Sequence, residues 1–182
     1  YNQLANSRFT IAVAALLDTG SRASYSNPGA PVLVSAYADP VTTTDIEGAN
    51  GYHASNYTST FNGTSSAAPL VTGIVALMLE ANPNLTYRDV QDILVHTSER
   101  VDPGDAGWSQ NGAGLWVNRN YGFGGIDATA AVNAAVSHAL LGQELSFSTG
   151  LQDVSQAIPD AGGASVAQTV NVASSNAISI EH

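Results

Sequence analysis

The sequence contains no cysteine, no lysine and only five arginines, against 15 acidic residues. The formal charge of this 182-residue chain is therefore −10 at pH 7. Proteins bind nucleic acid largely through clustered Lys and Arg that neutralise phosphates, so the composition excludes nucleic acid as a partner. The lack of cysteine excludes disulfides, thiolate catalysis and cysteine-type zinc sites.

Long hydrophobic runs are also lacking. The longest apolar stretches, at residues 11–17 and 74–79, are well short of the roughly 20 residues that a membrane span needs. The sequence thus predicts a chain that does not insert into a membrane. Hydrophobic residues nevertheless make up 44% of the chain and charged residues only 11%, which allows a sizeable core at about the length of one domain.

Two continuous apolar runs predict strands that are buried on both faces. They are FTIAVAALL at residues 9–17 and PVLVSAYA at residues 31–38, and strands of this kind are typical of a parallel sheet covered by helices. Residues 39–62 are rich in Thr, Asn, Gly and Ser, which predicts a surface excursion with short edge strands. Together with the helices that follow, this pattern indicates an α/β fold.

Three helices are predicted after this excursion. Residues 65–80 are apolar nearly all round, which predicts a helix buried inside the domain. Thr86 and Asp89 form a capping-box pattern at the start of a second helix, whose inner stripe is expected to contain Val90, Ile93, Leu94 and Thr97. Asp127 is expected to cap an alanine-rich third helix over residues 128–140.

The character of the sequence changes after Gly142. Short alternating segments separated by Pro159-Asp160-Ala161-Gly162-Gly163 are typical of an antiparallel β domain. We therefore predict a domain boundary near Gln143, with one domain over residues 1–142 and the start of a truncated β domain over residues 143–182.

The string FNGTSSAAP at residues 61–69 carries the most specific chemical signal. It joins a polar loop to an apolar helix, so Ser65 is expected at a helix N-terminus, where backbone amides and the helix dipole can stabilise an oxyanion. Gly63 would let a substrate backbone come close. The alternative is that Thr64 or Ser65 is only an N-cap residue, which is common for these residue types.

This string resembles the nucleophile segment of the subtilisin-like serine proteases. Three further strings are similar to the kexin and furin branch of that family: NSRFT at residues 6–10, LEANPNLTYRDVQ at residues 79–91 and YGFGGIDA at residues 121–128. The resemblance covers residues 1 to about 142 and implies a subtilisin-like sheet covered by helices. The tail from residue 143 is similar to the opening of the β-sandwich P domain that follows the catalytic domain in that branch.

In that family a catalytic Asp, a catalytic His and an oxyanion-hole Asn precede the nucleophile, and the resemblance implies that Ser65 is this nucleophile. The sole histidine before Ser65 is His53, and its surroundings lack the H-G-T context of the family. We therefore expect the Asp, His and Asn to lie in a segment that precedes Tyr1. This chain is then a catalytically incomplete fragment whose partner is the missing part of the same domain.

The resemblance also assigns residues to the substrate and to a metal. Asn2, Gly63 and Thr64 are expected at the bound peptide or protein substrate, and Asn2 stands where the branch carries an Asp that faces a basic side chain. Asn27 stands where the branch has a glutamate ligand of calcium, so a calcium ion is expected to bind more weakly here. The alternative is that Asn27-Pro28-Gly29 is simply a turn. A protease of this branch is expected to be secreted or extracellular.

Other candidate groups favour structural interpretations. The string DTGS at residues 18–21 matches the motif of aspartic proteases, but a second copy is absent and a turn after a strand explains Asp18. His96, His138 and His182 lack helical metal-site spacing and are interpreted as surface or packing residues. Asp102 and Asp105 could hold calcium in a loop, although solvated loop carboxylates are commoner.

Two functions therefore compete. The first is a serine endopeptidase of the subtilisin and kexin type, and the second is a non-catalytic protease homologue or a peptide-binding or structural module. The sequence of the preceding segment would separate them, because only an enzyme needs the Asp, His and Asn.

Overall fold

Parallel pairing of two apolar strands builds the centre of the domain in a computed structural model that describes residues 3–143. The elements are β1 (Ala12–Leu17), β2 (Val32–Asp39), β3 (Val41–Thr44), β4 (Tyr57–Phe61), α1 (Thr64–Ala81), α2 (Tyr87–Thr97), β5 (Ser109–Gln110), β6 (Trp116–Val117) and α3 (Ala128–Ser137). A short 3₁₀ turn lies at Gly48–Asn50. The structure divides the chain after Leu141.

β1 and β2 pair in parallel, with Val13 opposite Val34 and Ala15 opposite Ala36. Their central residues are buried, as the continuous apolar runs predicted. β1 begins at Ala12 rather than Phe9, because the preceding residues form turns and the Phe9 ring is 66% exposed. That ring packs against Tyr87, with 5.1 Å between centroids. The predicted excursion is an antiparallel pair, β3 with β4.

The helices cover this sheet. α1 packs against β1, β2 and α3, and α2 packs against α3 and β2, which agrees with the predicted α/β fold. The shared core includes Val34, Ala67, Met78, Ile93, Leu94 and Ala135. α3 ends at Ser137 instead of Leu140, because His138 adopts an extended conformation and contacts the start of α2.

The prediction that α1 is buried on all sides is wrong, since Leu70, Leu77 and Leu79 are 43%, 50% and 40% exposed. The 18 residues of α1 have a mean hydropathy of 1.4, so this helix is long and apolar enough to cross a membrane by length and composition, a property that core helices share. The uninterrupted apolar runs in the sequence are shorter because Thr64, Ser65, Ser66, Thr72 and Gly73 are interspersed. Only Ser66, Ala67, Val71 and Met78 are buried, so one face of α1 lies against the sheet and another is open.

Candidate active site

Ser65 lies in the first turn of α1 and is exposed. The residue before the helix is Gly63, with φ 110° and ψ 164°, a conformation that strains any residue with a Cβ. First-turn amides have no partner within their own helix, and the helix dipole is positive at this end. The local geometry therefore presents a serine hydroxyl beside groups that can stabilise a developing negative charge.

Ser66, the neighbour of Ser65, has a different environment. Its side chain is buried, and its hydroxyl lies 2.8 Å from the Ala38 carbonyl and 2.7 Å from the Gly63 carbonyl. Its hydrogen is thus directed to backbone oxygens, and Ser66 fastens the start of α1 to the end of β2. Of these two adjacent serines, only Ser65 is open to a substrate.

A tyrosine connects the same turn to the end of β2. The Gly63 N–H donates to the Tyr25 hydroxyl at 3.1 Å, and that hydroxyl donates to Asp39 Oδ2 at 3.2 Å. Burial and the Asp39 carboxylate raise the pKa of Tyr25, against the opposing effect of the Gly63 N–H. Neither Tyr25 nor Asp39 was recognised in the sequence, because the contact joins three segments that are distant along the chain.

The carboxyl ends of β1 and β2 lie beside this turn. The Asp18 N–H donates to the Asp39 carbonyl at 3.0 Å, and the exposed turn closes through the Gly20 N–H and the Leu17 carbonyl. Parallel sheets of α/β proteins bind ligands at this edge. Asp18 is thus a turn residue after a strand, as the structural interpretation predicted.

His53 makes its hydrogen bonds within its own loop and not with Ser65. Its Nδ1 lies 2.9 Å from the Ser55 hydroxyl, and its backbone N–H donates to Asp45 Oδ2 at 2.8 Å. These contacts belong to the loop between β3 and β4. His96 contacts Asp92 on the surface of α2, and His138 contacts the buried Asp89, so both are surface or packing residues. His182 lies outside the described residues.

The loop carboxylates are engaged in hydrogen bonds. Asp105 accepts from the side chains of Asn118 and Asn120 and from the Gly107 N–H, and the bond from Asn118 is the main cause that lowers the pKa of Asp105. Asp102 accepts from the Tyr121 hydroxyl at 2.9 Å. Burial, aided by Asp102, raises the pKa of Tyr121 to about 12. The two carboxylates hold the loop together.

The expected calcium ion at Asn27 stays a prediction, because calcium is held by oxygens that include backbone carbonyls. Asn27 is exposed, and the adjacent Ser26 carbonyl accepts from the Arg22 guanidinium, which brings a positive charge to this turn. Within residues 3–143, no three His, Asp or Glu side chains group in a way that could hold a metal. Asn2 lies outside the described residues, whereas Thr64 is exposed beside Ser65.

Comparison with known proteins identifies the family of the chain. The family model described as the subtilase family, Peptidase_S8, matches residues 1–124. The chain belongs to the subtilase family. It is 43% identical over 138 residues to the PC3-like endoprotease variant B of Hydra vulgaris, covering 71% of this chain and 18% of that protein. It is 39% identical over 136 residues to the Protease KEX1 of Kluyveromyces lactis, covering 72% of this chain and 17% of that protein.

Solved structures agree with the subtilase assignment. The serine protease of Aeromonas sobria has a TM-score of 0.68 and 31% sequence identity, covering 72% of this chain and 30% of that chain. This subtilase chain spans less than a fifth of the length of the Hydra and Kluyveromyces relatives. The expected similarity to the kexin and convertase branch is confirmed.

Proposed function

We propose that this chain is the nucleophile-bearing part of a secreted serine endopeptidase of the kexin type, with Ser65 as its nucleophile. The observation that supports this proposal is the exposed Ser65 in the first turn of α1, directly after the positive-φ Gly63. It lies within the segment that matches the subtilase model. Secretion is suggested by a relative described as the Aeromonas extracellular serine protease.

The proposed chemistry follows from the position of Ser65. Its Oγ attacks the scissile carbonyl of a peptide or protein, and a histidine base takes the hydroxyl proton. The Ser65 backbone N–H stabilises the oxyanion at the helix N-terminus. The protonated histidine then donates to the leaving amine, and water hydrolyses the acyl-enzyme ester, which regenerates Ser65.

The histidine base, its aspartate and an oxyanion-hole asparagine are proposed to come from a segment that precedes Tyr1. The contacts of His53 within its own loop support this view, because they join it to Ser55 and Asp45 and not to Ser65. The exposed leucines of α1 also support it, since further parts of the same domain would cover them. We call this chain expressed together with its preceding coding segment the extended protein.

Labelling of the extended protein tests the nucleophile. A fluorophosphonate should modify Ser65, and Ser65→Ala should lower kcat by at least about a thousandfold with KM roughly unchanged, because the lost group acts in the chemical step. Ser59→Ala is the matched control, since Ser59 is an exposed serine on β4. Modification of Ser59 or Ser66 with Ser65 unmodified would contradict the assignment.

Substrate selection is proposed to be less strictly basic than in the kexin and furin branch. An amide at Asn2 accepts a hydrogen bond but provides no charge to pair with Arg or Lys. Asn2→Asp in the extended protein should therefore raise kcat/KM for peptides with a basic residue before the cleaved bond, relative to matched neutral peptides. A wild-type enzyme that cleaves only after paired basic residues would contradict this proposal.

We also propose that a calcium ion binds near Asn27 through side-chain and carbonyl oxygens. Asn27→Asp adds a negative charge and should increase the calcium-dependent rise in melting temperature of the extended protein. Asn56→Asp, which adds the same charge in the loop before β4, is the control. Equal responses of the two variants to calcium and to a chelator would place the ion elsewhere.

A non-catalytic homologue is the second candidate, in which the turn that carries Ser65 binds a peptide without cleaving it. The discriminating observation is the coding segment before Tyr1. If it lacks an Asp, a His and an Asn in the contexts of the family, Ser65 has no base and the endopeptidase proposal fails.

A further inference from the structure

Tyr25 and Asp39 form a hydrogen-bonded chain that ends at the backbone of the turn carrying Ser65. Asp39 Oδ2 accepts from the Tyr25 hydroxyl at 3.2 Å, and the same hydroxyl accepts from the Gly63 N–H at 3.1 Å. The Gly63 carbonyl in turn accepts from the Ser66 N–H at 2.9 Å. Both polar groups of Gly63 are therefore held, two residues before Ser65.

Hydrogen bonds attach the loop that carries Tyr25 to β1. The next residue, Ser26, is 1% exposed, and its hydroxyl accepts from the Ala15 N–H of β1 at 2.9 Å. The Ala23 N–H donates to the Ala15 carbonyl at 3.0 Å, and the Ser26 N–H donates to the Ala23 carbonyl at 2.9 Å. The loop that carries Tyr25 is thus attached to β1. The Tyr25 hydroxyl therefore extends from an anchored backbone when it accepts from the Gly63 N–H.

The Asp39 carboxylate orients the hydroxyl of Tyr25. The hydroxyl hydrogen of Tyr25 is directed to Asp39, so an oxygen lone pair is left for the Gly63 N–H. A hydrogen bond donated to a carboxylate also makes the phenol oxygen a stronger acceptor. Asp39 acts on the turn only through Tyr25, whereas Tyr25 contacts the Gly63 backbone directly.

We propose that Tyr25, oriented by Asp39, is a positioning residue that holds the Gly63 turn and thereby places the Ser65 hydroxyl for attack. This inference rests on the proposed function. Gly63 adopts φ 110°, a conformation that neighbouring contacts must select among the wide range open to glycine. Small displacements of a nucleophile lower the rate of the chemical step more than they alter substrate binding.

The raised pKa of Tyr25 is compatible with this role. The phenol stays protonated at neutral pH and can donate to Asp39 while it accepts from Gly63. The Tyr25 ring is 40% exposed, so a direct contact between the ring and the substrate is the competing explanation. Loss of a positioning contact is expected to lower kcat, whereas loss of a ring contact with substrate is expected to raise KM.

Tyr25→Phe in the extended protein tests the proposal, because it removes the hydroxyl and keeps the ring. We expect kcat, and the rate at which a fluorophosphonate labels Ser65, to fall about tenfold, the effect of one hydrogen bond, with KM within about twofold of wild type. Tyr52→Phe is the matched control and should change neither rate, since the Tyr52 ring is 91% exposed.

Substitutions at Asp39 test whether the carboxylate acts through Tyr25. Asp39→Ala should lower kcat in the wild-type background but not further in Tyr25→Phe, whereas Asp39→Asn, which keeps an acceptor oxygen, should retain most of the activity. If Tyr25→Phe lacks a cooperative thermal transition, it is not folded, and the proposal is then tested by comparing Asp39→Ala with Asp39→Asn. Rescue by Asn supports the proposal, and equal losses overturn it.

The outcomes separate this inference from the proposed function. If the wild type is not labelled at Ser65, the proposed function fails and the inference fails with it. If the wild type is labelled and Tyr25→Phe reacts at the same rate, only the inference fails. A raised KM with unchanged kcat in Tyr25→Phe shows a ring contact with substrate and also overturns the positioning role.

Discussion

At the scale of single residues, Asp89 shows how a buried charge is satisfied. Its carboxylate accepts from the Thr86 N–H at 2.8 Å, the Thr86 hydroxyl at 2.6 Å and the Leu141 N–H at 2.7 Å, and it lies 3.1 Å from His138 Nε2. Burial alone would raise the pKa of Asp89, but these hydrogen bonds outweigh it and lower the pKa to about 2. One side chain thereby joins the start of α2 to the chain that follows α3.

The lowered pKa of Asp89 predicts a stability change in acid. The folded value of about 2 lies below the ordinary value of 3.8, so the stabilisation is present above about pH 4 and is lost as the pH falls toward 2. The shift corresponds to roughly 2 kcal/mol at neutral pH. We expect Asp89→Asn to lower the melting temperature of the extended protein at pH 7 and to reduce its further decrease between pH 4 and pH 2.5.

Asp92→Asn provides the control for Asp89, because Asp92 lies on the same helix with its side chain 37% exposed. This variant should melt close to the wild type at both pH values. If Asp89→Asn and Asp92→Asn lower the melting temperature equally, the buried hydrogen bonds of Asp89 contribute no more to stability than a surface carboxylate on the same helix.

At the scale of secondary-structure elements, the YGFGG segment extends the sheet beside β2. The Phe123 N–H donates to the Leu33 carbonyl, the Ser35 N–H to the Gly124 carbonyl and the Ile126 N–H to the Ser35 carbonyl, each at 2.8 Å. A Cβ at Gly122 would lie 2.2 Å from the Leu33 carbonyl oxygen. The glycines of this motif therefore allow a third segment to approach the strand closely.

Gly124→Ala should disrupt this close approach. Gly124 has φ 139°, and an added Cβ would lie 2.2 Å from the Glu99 carbonyl oxygen, so both strain and collision oppose a side chain. We expect a loss of about 2–4 kcal/mol, seen as a lower melting temperature of the extended protein. Gly112→Ala, where a Cβ meets nothing within 4 Å, should have little effect; equal melting of both variants would contradict the prediction.

At the scale of the whole molecule, the exposed leucines of α1 determine how the chain behaves alone. Leu70, Leu77 and Leu79 are each at least 40% exposed, although α1 is the helix that connects the sheet with α3. Leu70 and Leu77 are seven positions apart and lie on one side of the helix, whereas Leu79 lies on another. Exposed apolar side chains of this size favour association. The parallel sheet formed by β1 and β2 is also small, with two named strands among the described residues.

We therefore expect the isolated 182-residue chain to aggregate or to remain loosely folded, without peptidase activity. Mixing it with the preceding segment should restore a cooperative thermal transition and fluorophosphonate labelling of Ser65, because the exposed leucines of α1 are then covered and a base is supplied. Size-exclusion chromatography and labelling check both parts. Inhibitor-sensitive peptidase activity of the purified chain alone would show that the base lies within these residues.

Features that depend on residues close together in the sequence were predicted correctly. The Thr86 and Asp89 capping box, the Asp127 cap and the parallel pairing of β1 with β2 agree with their sequence patterns, since each depends on nearby residues or on a continuous apolar run. The identity of residues 143–182 as the start of a P domain stays a prediction outside the described residues. The roles of Ser65, Asn2 and Asn27 also stay predictions.

The amino-acid sequence by itself determined the two buried strands, the three helices and the family, because helix caps and apolar runs act over a few residues. Only the tertiary structure decided which faces are covered and which polar groups meet. Tyr25, Asp39 and Gly63 are separated by up to 38 positions, and His138 is 49 positions from Asp89. Such contacts depend on how the elements pack, and no local pattern of residue types encodes that geometry.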